Sequence, residues 1–159
     1  MSESDFYDVL DTFDNCMLLT FTDDGTPHAR PMALAGREGA AVYFVTDRET
    51  AKVDEAMANR TAVITVQDSR RWAAATGTAS LVDDRSRIDE FWSKPMEAWF
   101  PDGPETPGLV ALKVDLHDGE YWDVSGGQVA RFAWGVARSV ATGERISEEE
   151  EGKHGREHL

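Results

Sequence analysis

Four side chains suited to binding a phosphate monoester lie in two short stretches of the chain. The first stretch holds Arg30, and the second holds Thr46, Thr50 and Lys52. Hydroxyl groups, free backbone N–H groups at a helix start and a lysine in the first turn are donors that bind phosphate. An arginine from a neighbouring strand can bind the same group through two hydrogen bonds. The sequence therefore predicts a site for a small phosphorylated ligand.

Three strands and a helix are expected to position these side chains. Residues 16–22 and 27–35 flank Asp24-Gly25, a pair typical of a hairpin turn. Residues 40–46 form a third, apolar strand, and Thr50 is expected to cap the helix that follows it. The pattern places the arginine on the second strand and the lysine in the first turn of the helix.

The rest of the chain predicts further strands and helices around a proline-rich loop. A short helix is expected at 4–13, strands at 61–66, 73–82, 109–114 and 119–122, and helices begin at the caps Asp84 and Ser125. The loop at 94–108 lies between these two helices, and the last helix carries the apolar stripe Val129, Phe132, Ala133, Val136 and Val140. We predict an α+β fold with a small antiparallel barrel, one domain at 1–143 and a charged, frayed C-terminal tail at 144–159.

The charge of the chain is uneven. Sixteen basic against 30 acidic residues give a formal charge of −14, which excludes nucleic acid as an expected partner because neutralising phosphates needs a basic face. Residues 28–71 hold seven basic and six acidic residues, or +1, which leaves −15 for the remainder. The region that holds the candidate phosphate ligands is therefore spared from the acidity, as attraction of an anion requires.

Targeting and redox features are few. No apolar run approaches the roughly 20 residues that span a bilayer, and the acidic N-terminus lacks the pattern of a signal peptide, so a cytoplasmic location without membrane attachment is expected. The single cysteine, Cys16, lies in an apolar strand and is expected to be a small buried hydrophobic residue.

Two motifs resemble a known family. The stretch DGTPHARPM followed by YFVTDRETAK is similar to the split barrels related to pyridoxamine phosphate oxidase that bind flavin mononucleotide (FMN), and FWSKPMEAWFPDGPETPGLVALKVDLHDGEYWD resembles their general stress protein 26-like branch. The resemblance covers roughly residues 6–143. It implies a six- to seven-stranded antiparallel split β-barrel with flanking helices, noncovalent FMN as cofactor, and a homodimer with two flavin sites at its interface.

The resemblance also implies roles for individual residues. It assigns the flavin phosphate to Arg30, Lys52 and a hydroxyl group. It lays the ring along the main chain around Pro31, Met32, Phe44 and Val45, and it makes Trp92 and Trp99 candidates for covering the ring from either subunit. Trp122 and Trp134 are expected to be packing residues. The cofactor-binding prediction is therefore Arg30, Pro31, Met32, Phe44, Val45, Thr46, Thr50, Lys52, Trp92 and Trp99.

Several functions stay open. The first is an FMN-dependent oxidoreductase acting on an unidentified small substrate; no side chain stands out as an acid or base, so no catalytic residue is named. The second is a non-enzymatic flavin-binding or flavin-sequestering stress protein, and the third is a barrel that binds another phosphorylated ligand or haem. No metal site is expected, since His154 and His158 would share a face only in a helix. No Gly-x-Gly-x-x-Gly motif follows a strand, which disfavours a nicotinamide-binding fold.

Overall fold

Eight strands form one antiparallel sheet within residues 5–147 and 152–159, which the computed structural model describes. The elements are α1 (Asp5–Leu10), β1 (Asn15–Phe21), β2 (Pro27–Ala33), β3 (Gly36–Glu38), β4 (Ala41–Asp47), α2 (Ala51–Ala58), β5 (Thr61–Gln67), β6 (Arg71–Val82), α3 (Arg85–Phe91), two short 3₁₀ helices (Lys94–Ala98 and Gly103–Glu105), β7 (Leu109–Asp123), α4 (Gln128–Thr142) and β8 (Lys153–His158). The predicted α+β class is confirmed. The expected helix start at residue 4 and residues 148–151 of the expected tail lie outside the described residues.

The sheet curls until one of its edge strands returns toward a strand near its other end. The strand order is β2-β1-β5-β6-β7-β4-β3, and β8 pairs with the second half of β7. β2 lies against β4, but among the described residues no ladder of hydrogen bonds joins these two strands. We call this line of contact the seam. It splits the barrel along one side.

The longest strand, β7, pairs with three others and bends at one residue. It pairs with β6 from Ala111 to Asp123, with β4 in its first half and with β8 in its second half. The register with β6 shifts between Thr76 and Gly77, so that His117 is an extra residue in the ladder. A β-bulge of this kind bends the strand. A Cβ atom at Gly77 would collide with the main-chain oxygen of Asp115, so only glycine fits beside the bend.

Both faces of β4 are buried because the strand lies between two apolar clusters. Val42 and Phe44 join the cluster inside the barrel, whereas Tyr43 and Val45 join a second cluster beneath α3 and the first 3₁₀ helix. This division follows from the alternation of side chains along a strand. Burying each large apolar side chain stabilises the fold by about 1.5–3 kcal/mol. Through Met96, the second cluster holds the segment after α3 beside the end of β4.

The strand count differs from the predicted six to seven for local reasons. Residues 109–114 and 119–122 belong to one strand, since the bulge lets pairing with β6 continue through the polar residues between them. Residues 36–38, which lie between the predicted strands 27–35 and 40–46, form β3 on β4. Residues 153–158, expected to fray, form β8, where His154 Nε2 lies 2.9 Å and Arg156 Nη2 3.2 Å from the carboxylate of Glu120 on β7.

Two predicted caps also differ. The Thr50 hydroxyl does not cap α2; it donates a hydrogen bond to the Asp47 carbonyl oxygen at 2.9 Å. The last helix begins at Gln128 rather than directly after Ser125, whose N–H donates to the Asp123 carboxylate at 2.7 Å. Asp84 caps α3 as predicted, accepting a hydrogen bond from the Ser86 N–H.

Helix α4 buries little of its surface. Gly135 is its one buried residue, and Trp134, expected to pack, is 67% exposed. No helix in the described part of the chain is long and apolar enough to cross a membrane.

Candidate functional site

A cavity of 460 Å³ opens at the seam, where β2 and the end of β4 meet the start of α2 and the segment of residues 93–100. Six of the ten predicted cofactor-binding residues line it: Pro31, Met32, Val45, Thr46, Lys52 and Trp99. They come from four segments that are distant in the sequence. The seam therefore brings together the two stretches that the sequence analysis singled out.

One end of the cavity is cationic. The half-buried Lys52 side chain forms no ion pair with any residue in the described ranges 5–147 and 152–159. Burial lowers the pKa of its ammonium group, and the positive charge of Arg30 lowers it further, while Asp47 opposes the shift. An ammonium group held in this state lacks a counterion, and a bound anion would supply one.

Arg30 lies beside this cationic end without lining the cavity itself. Its Nη1 donates to the Thr20 hydroxyl at 2.8 Å, and its Nη2 lies 3.7 Å from Glu55 Oε2. The Thr20 side chain is fully buried and donates its own hydroxyl proton to Glu55 Oε2 at 2.7 Å. Because that proton is committed to Glu55, the hydroxyl oxygen is left to accept from the arginine. These contacts with Thr20 and Glu55 hold the guanidinium group in place.

Glu55 is a site residue that the sequence analysis missed. Its Oε1 lies 2.6 Å from His28 Nδ1, and the hydrogen bond from Thr20, followed by that of His28, lowers the pKa of the carboxyl group. Glu55 follows Lys52 by three residues on α2, and residues three apart share a helix face. That spacing was a usable signal. The pairing with Thr20 and His28 depends on strand register, which the sequence pattern does not contain.

The predicted hydroxyl ligands separate into two roles. Thr46 lies next to the end of β4, is 3% exposed and lines the cavity. Thr50 does not line it, because its hydroxyl donates to the carbonyl oxygen of Asp47 and closes the turn between β4 and α2. Thr46 is therefore the hydroxyl placed to meet a ligand, and Thr50 shapes the loop that presents Lys52.

Two predicted aromatic and apolar residues also lie away from the cavity surface. The Phe44 ring is completely buried in the barrel core, so only its main chain could meet a ligand. Trp92 packs near Phe100, with ring centroids 6.3 Å apart, and supports the cavity wall from behind. Trp99, in contrast, is 78% exposed at the cavity.

The remainder of the cavity is a mostly apolar slot. Its walls are formed by Met32, Val45, Met96 and Phe100, with the neutral polar groups of Asn15 and Ser93 between them. Among the described strands β2 pairs with β1 alone, so part of its main-chain N–H and C=O groups faces the seam. A flat apolar ring with a polar edge matches this surface. Four residues that line the cavity were not among the residues predicted from the sequence: Asn15, Ser93, Met96 and Phe100.

The described residues that line the site include no evident acid, base, nucleophile or metal ligand set. Lys52 is the one charged residue among them. In the described residues, no group of three or more His, Cys, Asp or Glu side chains is placed to hold a metal ion. Cys16 is buried, and burial raises the pKa of its thiol to about 12, so it stays protonated near neutral pH.

Comparisons with known proteins agree with this geometry. The family model described as "Pyridoxamine 5'-phosphate oxidase like" matches residues 2–147. Protein bli-3 of Neurospora crassa is 31% identical over 140 residues, covering 79% of this chain, and the chain spans 66% of that relative's length. A solved protein from Jannaschia sp. CCS1, proposed to be a general stress protein 26, superposes with a TM-score of 0.75 at 28% identity over 97% of this chain and 96% of that one. General stress protein 26 from Bacillus anthracis superposes with a TM-score of 0.66 at 22% identity, over 73% and 89% of the two chains, which shows the shared fold.

Proposed function

Because the chain belongs to the pyridoxamine 5'-phosphate oxidase-like family and has its split-barrel fold, we propose that it is an FMN-binding flavoprotein that acts as an oxidoreductase on a small substrate. The observation that supports this best is the junction at the seam of an apolar slot with a cationic end, where Lys52 lines the cavity and Arg30 lies beside it. FMN has the matching pair of parts, a phosphate monoester and a flat ring. A single FMN molecule would therefore occupy both the cationic end and the apolar slot of the cavity.

The residues present fit the cofactor in a definite orientation. Lys52 would hold the phosphate, Arg30 beside the cavity would add N–H donors, and the Thr46 hydroxyl would be a further donor. The slot between β2 and the segment around Trp99 would hold the ring, with β2 main-chain groups against its polar edge. When bound, FMN supplies the redox chemistry. The protein's part is to bind the cofactor, to orient it and to exclude water from one ring face.

The cavity also limits the substrate. Since Lys52 is the one charged residue among the described residues that line it, a phosphorylated substrate bound together with FMN would find no second cation among them. We therefore propose a substrate other than pyridoxamine phosphate, despite the family's description. The described residues that line the slot include no His, Asp, Glu, Cys or Tyr side chain, so we name no catalytic acid or base from this chain.

The proposal includes a role in stress, as the names of the general stress protein 26 relatives suggest. It also includes a cytoplasmic location and a homodimer. A Trp99 side chain that is 78% exposed at the cavity is the part of the site that a second subunit would cover. Burial of such a side chain at an interface is favourable because an indole has a large apolar area.

Two measurements on purified protein test the proposal. An absorption spectrum with flavin bands, or their appearance when FMN is added to the apo-protein, is expected. Bleaching of those bands by NADH or NADPH, followed by recovery in air or with an added acceptor, is expected of an oxidoreductase. Tight FMN binding without any reduction would favour the non-enzymatic flavin-sequestering function, which the lack of an acid or base in the cavity also allows. Failure to bind FMN would refute both.

A further inference from the structure

Three Asp-Gly pairs occur in the chain, and the structure places them in different surroundings. They are Asp24-Gly25, Asp102-Gly103 and Asp118-Gly119. An aspartate followed by glycine can convert spontaneously to isoaspartate, because glycine has no side chain to shield its main-chain nitrogen and turns freely. The reaction depends on local structure, so the three pairs can be compared within one molecule.

The conversion is a net isomerisation without an oxidant or a reductant. The glycine main-chain nitrogen forms a bond to Cγ of the aspartate, and the hydrogen of the N–H leaves with the hydroxyl of the protonated carboxyl group as water. Water then opens the cyclic imide. Where it breaks the bond to the former main-chain carbonyl carbon, the side-chain methylene enters the main chain and a free carboxylate remains. The first step needs a main chain that can turn and a carboxyl group that can be protonated.

The Asp118-Gly119 pair does not meet the first of these needs. It lies inside β7, where Gly119 is paired with Ala75 on β6 and with Glu157 on β8. A Cβ atom at Gly119 would lie 2.7 Å from the ring of Phe6, which shows how closely the main chain is packed there. The ladder on both sides prevents the rotation that would bring the nitrogen to the carboxyl carbon.

The Asp24-Gly25 pair can turn, but its carboxylate is held. Gly25 has a φ of 86°, and in the described part of the chain no atom beyond its two neighbours lies within 4 Å of the place a Cβ would take. Asp24 Oδ1 accepts hydrogen bonds from the Thr22 hydroxyl, from the Thr26 hydroxyl at 2.8 Å and from the Thr26 N–H at 3.1 Å. The bond from Thr22, followed by those from Thr26, lowers the pKa of the Asp24 carboxyl group. The charged, unreactive form is therefore favoured.

The Asp102-Gly103 pair has the same main chain without this protection. Gly103 has a φ of 76° and similarly open surroundings. Its N–H donates to the Phe100 carbonyl oxygen at 3.0 Å, much as the Gly25 N–H donates to Thr22 at 2.9 Å. The exposed Asp102 side chain, however, does not cap the short helix that follows, and it forms no hydrogen bond or ion pair with residues 5–147 and 152–159.

We propose that Asp102 is a site of spontaneous conversion to isoaspartate, in preference to Asp24 and Asp118. Its turn lies between two fixed points. Phe100 lines the cavity on one side, and on the other side Arg85 Nη1 donates to the Pro104 carbonyl oxygen at 2.7 Å. A methylene added between these points would displace the cavity wall. The inference goes beyond the proposed function, since the reaction needs no flavin.

The test is peptide mapping of native wild-type protein kept for weeks at physiological temperature in mildly acidic buffer. Trypsin does not cleave before proline, so it leaves the three pairs in three different peptides, 1–37, 88–113 and 114–131. Isoaspartyl peptides keep their mass but elute separately, and an isoaspartate-specific protein methyltransferase with S-adenosylmethionine labels them. We expect isoaspartate to form at Asp102 at least about tenfold faster than at Asp24, or about 1.4 kcal/mol in activation free energy, and slowest at Asp118.

Two sets of variants show whether the named contacts are responsible. Asp102→Glu keeps the charge, but its longer side chain would have to form a larger ring, so peptide 88–113 should stay unlabelled. Thr22→Val combined with Thr26→Val frees the carboxylate of Asp24, whose rate should rise toward that of Asp102. In denaturant, where neither pair has its native contacts, the two wild-type rates should become similar.

Equal rates at Asp24 and Asp102 in the native wild-type protein would overturn the inference. So would a peptide 88–113 that converts in denaturant but stays unlabelled in the native protein. An Asp24 rate that the two valine substitutions leave unchanged would refute the protective role of the threonines. FMN titrations are separate from these measurements, so failure of the chain to bind flavin would leave the assignment of Asp102 standing.

Discussion

Replacement of Lys52 by alanine tests the most specific feature of the site, a half-buried ammonium group without an ion-pair partner in the described part of the chain. In the free protein, burial and the nearby Arg30 lower the pKa of this group, which means that its charged form is held at a cost. Removing it should therefore leave the fold intact or slightly more stable. The loss should appear only when an anion binds.

The expected magnitude follows from the contact that would be lost. A charge-assisted hydrogen bond to phosphate contributes about 1.5–3 kcal/mol. At about 1.4 kcal/mol for each factor of ten, Lys52→Ala should weaken FMN binding roughly 10- to 150-fold. Riboflavin has the same ring without the phosphate, and its affinity should change by less than about threefold, a span of under 1 kcal/mol.

The assay is a titration of apo-protein with each flavin, followed by quenching of flavin fluorescence. Lys94→Ala is the matched control, because Lys94 is exposed on the segment beside the cavity and does not line it. That variant removes the same charge and should weaken FMN binding only through long-range attraction, which salt screens. Equal losses for FMN and riboflavin in Lys52→Ala, or equal losses in the two variants, would refute the placement of the phosphate.

The pH dependence of FMN affinity is a second test of the Lys52 ammonium group. Bound phosphate stabilises the charged form, so the pKa of Lys52 should be higher in the complex than in the free protein. FMN affinity should then be constant between the second ionisation of its phosphate, near pH 6, and the lowered pKa of Lys52 in the free protein, and should fall as the pH rises through that pKa, before the ordinary lysine range is reached. Riboflavin affinity should show no such fall, and neither should FMN affinity in Lys52→Ala.

Four further predictions concern other residues of the chain. Arg30→Ala should weaken FMN binding by a similar factor of roughly 10 to 150, and Glu55→Gln should give a smaller, FMN-selective change because it alters only what holds the arginine; the same two titrations measure both. Trp99→Ala should reduce the affinity for both flavins and weaken the dimer, and a variant that binds riboflavin and FMN as the wild type does would remove Trp99 from the site. Cys16 should react with a thiol reagent at neutral pH only after denaturation, and fast labelling of the native protein would contradict its raised pKa.

Much of the fold was predictable because it depends on local patterns. The hairpin signal Asp24-Gly25 between two short stretches defined β1 and β2, which pair in the expected hairpin. The continuity of β7 was not predictable in the same way. Its polar middle, around His117, looks like a loop in sequence, and only pairing with β6 across the bulge keeps it a strand.

The candidate site shows the same division. Arg30, Thr46 and Lys52 were recognisable because their chemical types and their places at strand and helix ends indicate an anion site. The contacts of Glu55 with Thr20 and His28 come from three different elements, and no spacing within one element predicts them. The exposure of α4 was equally hidden, since a stripe in the sequence shows which face is apolar but not what covers it.

The cavity lies where the two edges of the sheet meet without pairing. Its two sides are connected through no ladder hydrogen bonds in the described residues, and its walls come from β2, β4, α2 and the segment of residues 93–100. A molecule bound there would contact all four of these segments and so hold the two edges of the sheet together. At a concentration one hundred times its dissociation constant, such a ligand adds about 2.7 kcal/mol to the free energy of unfolding. Opening of the seam, and with it exposure to proteases, would then depend on ligand supply, so that the cellular level of this protein would follow the availability of its cofactor.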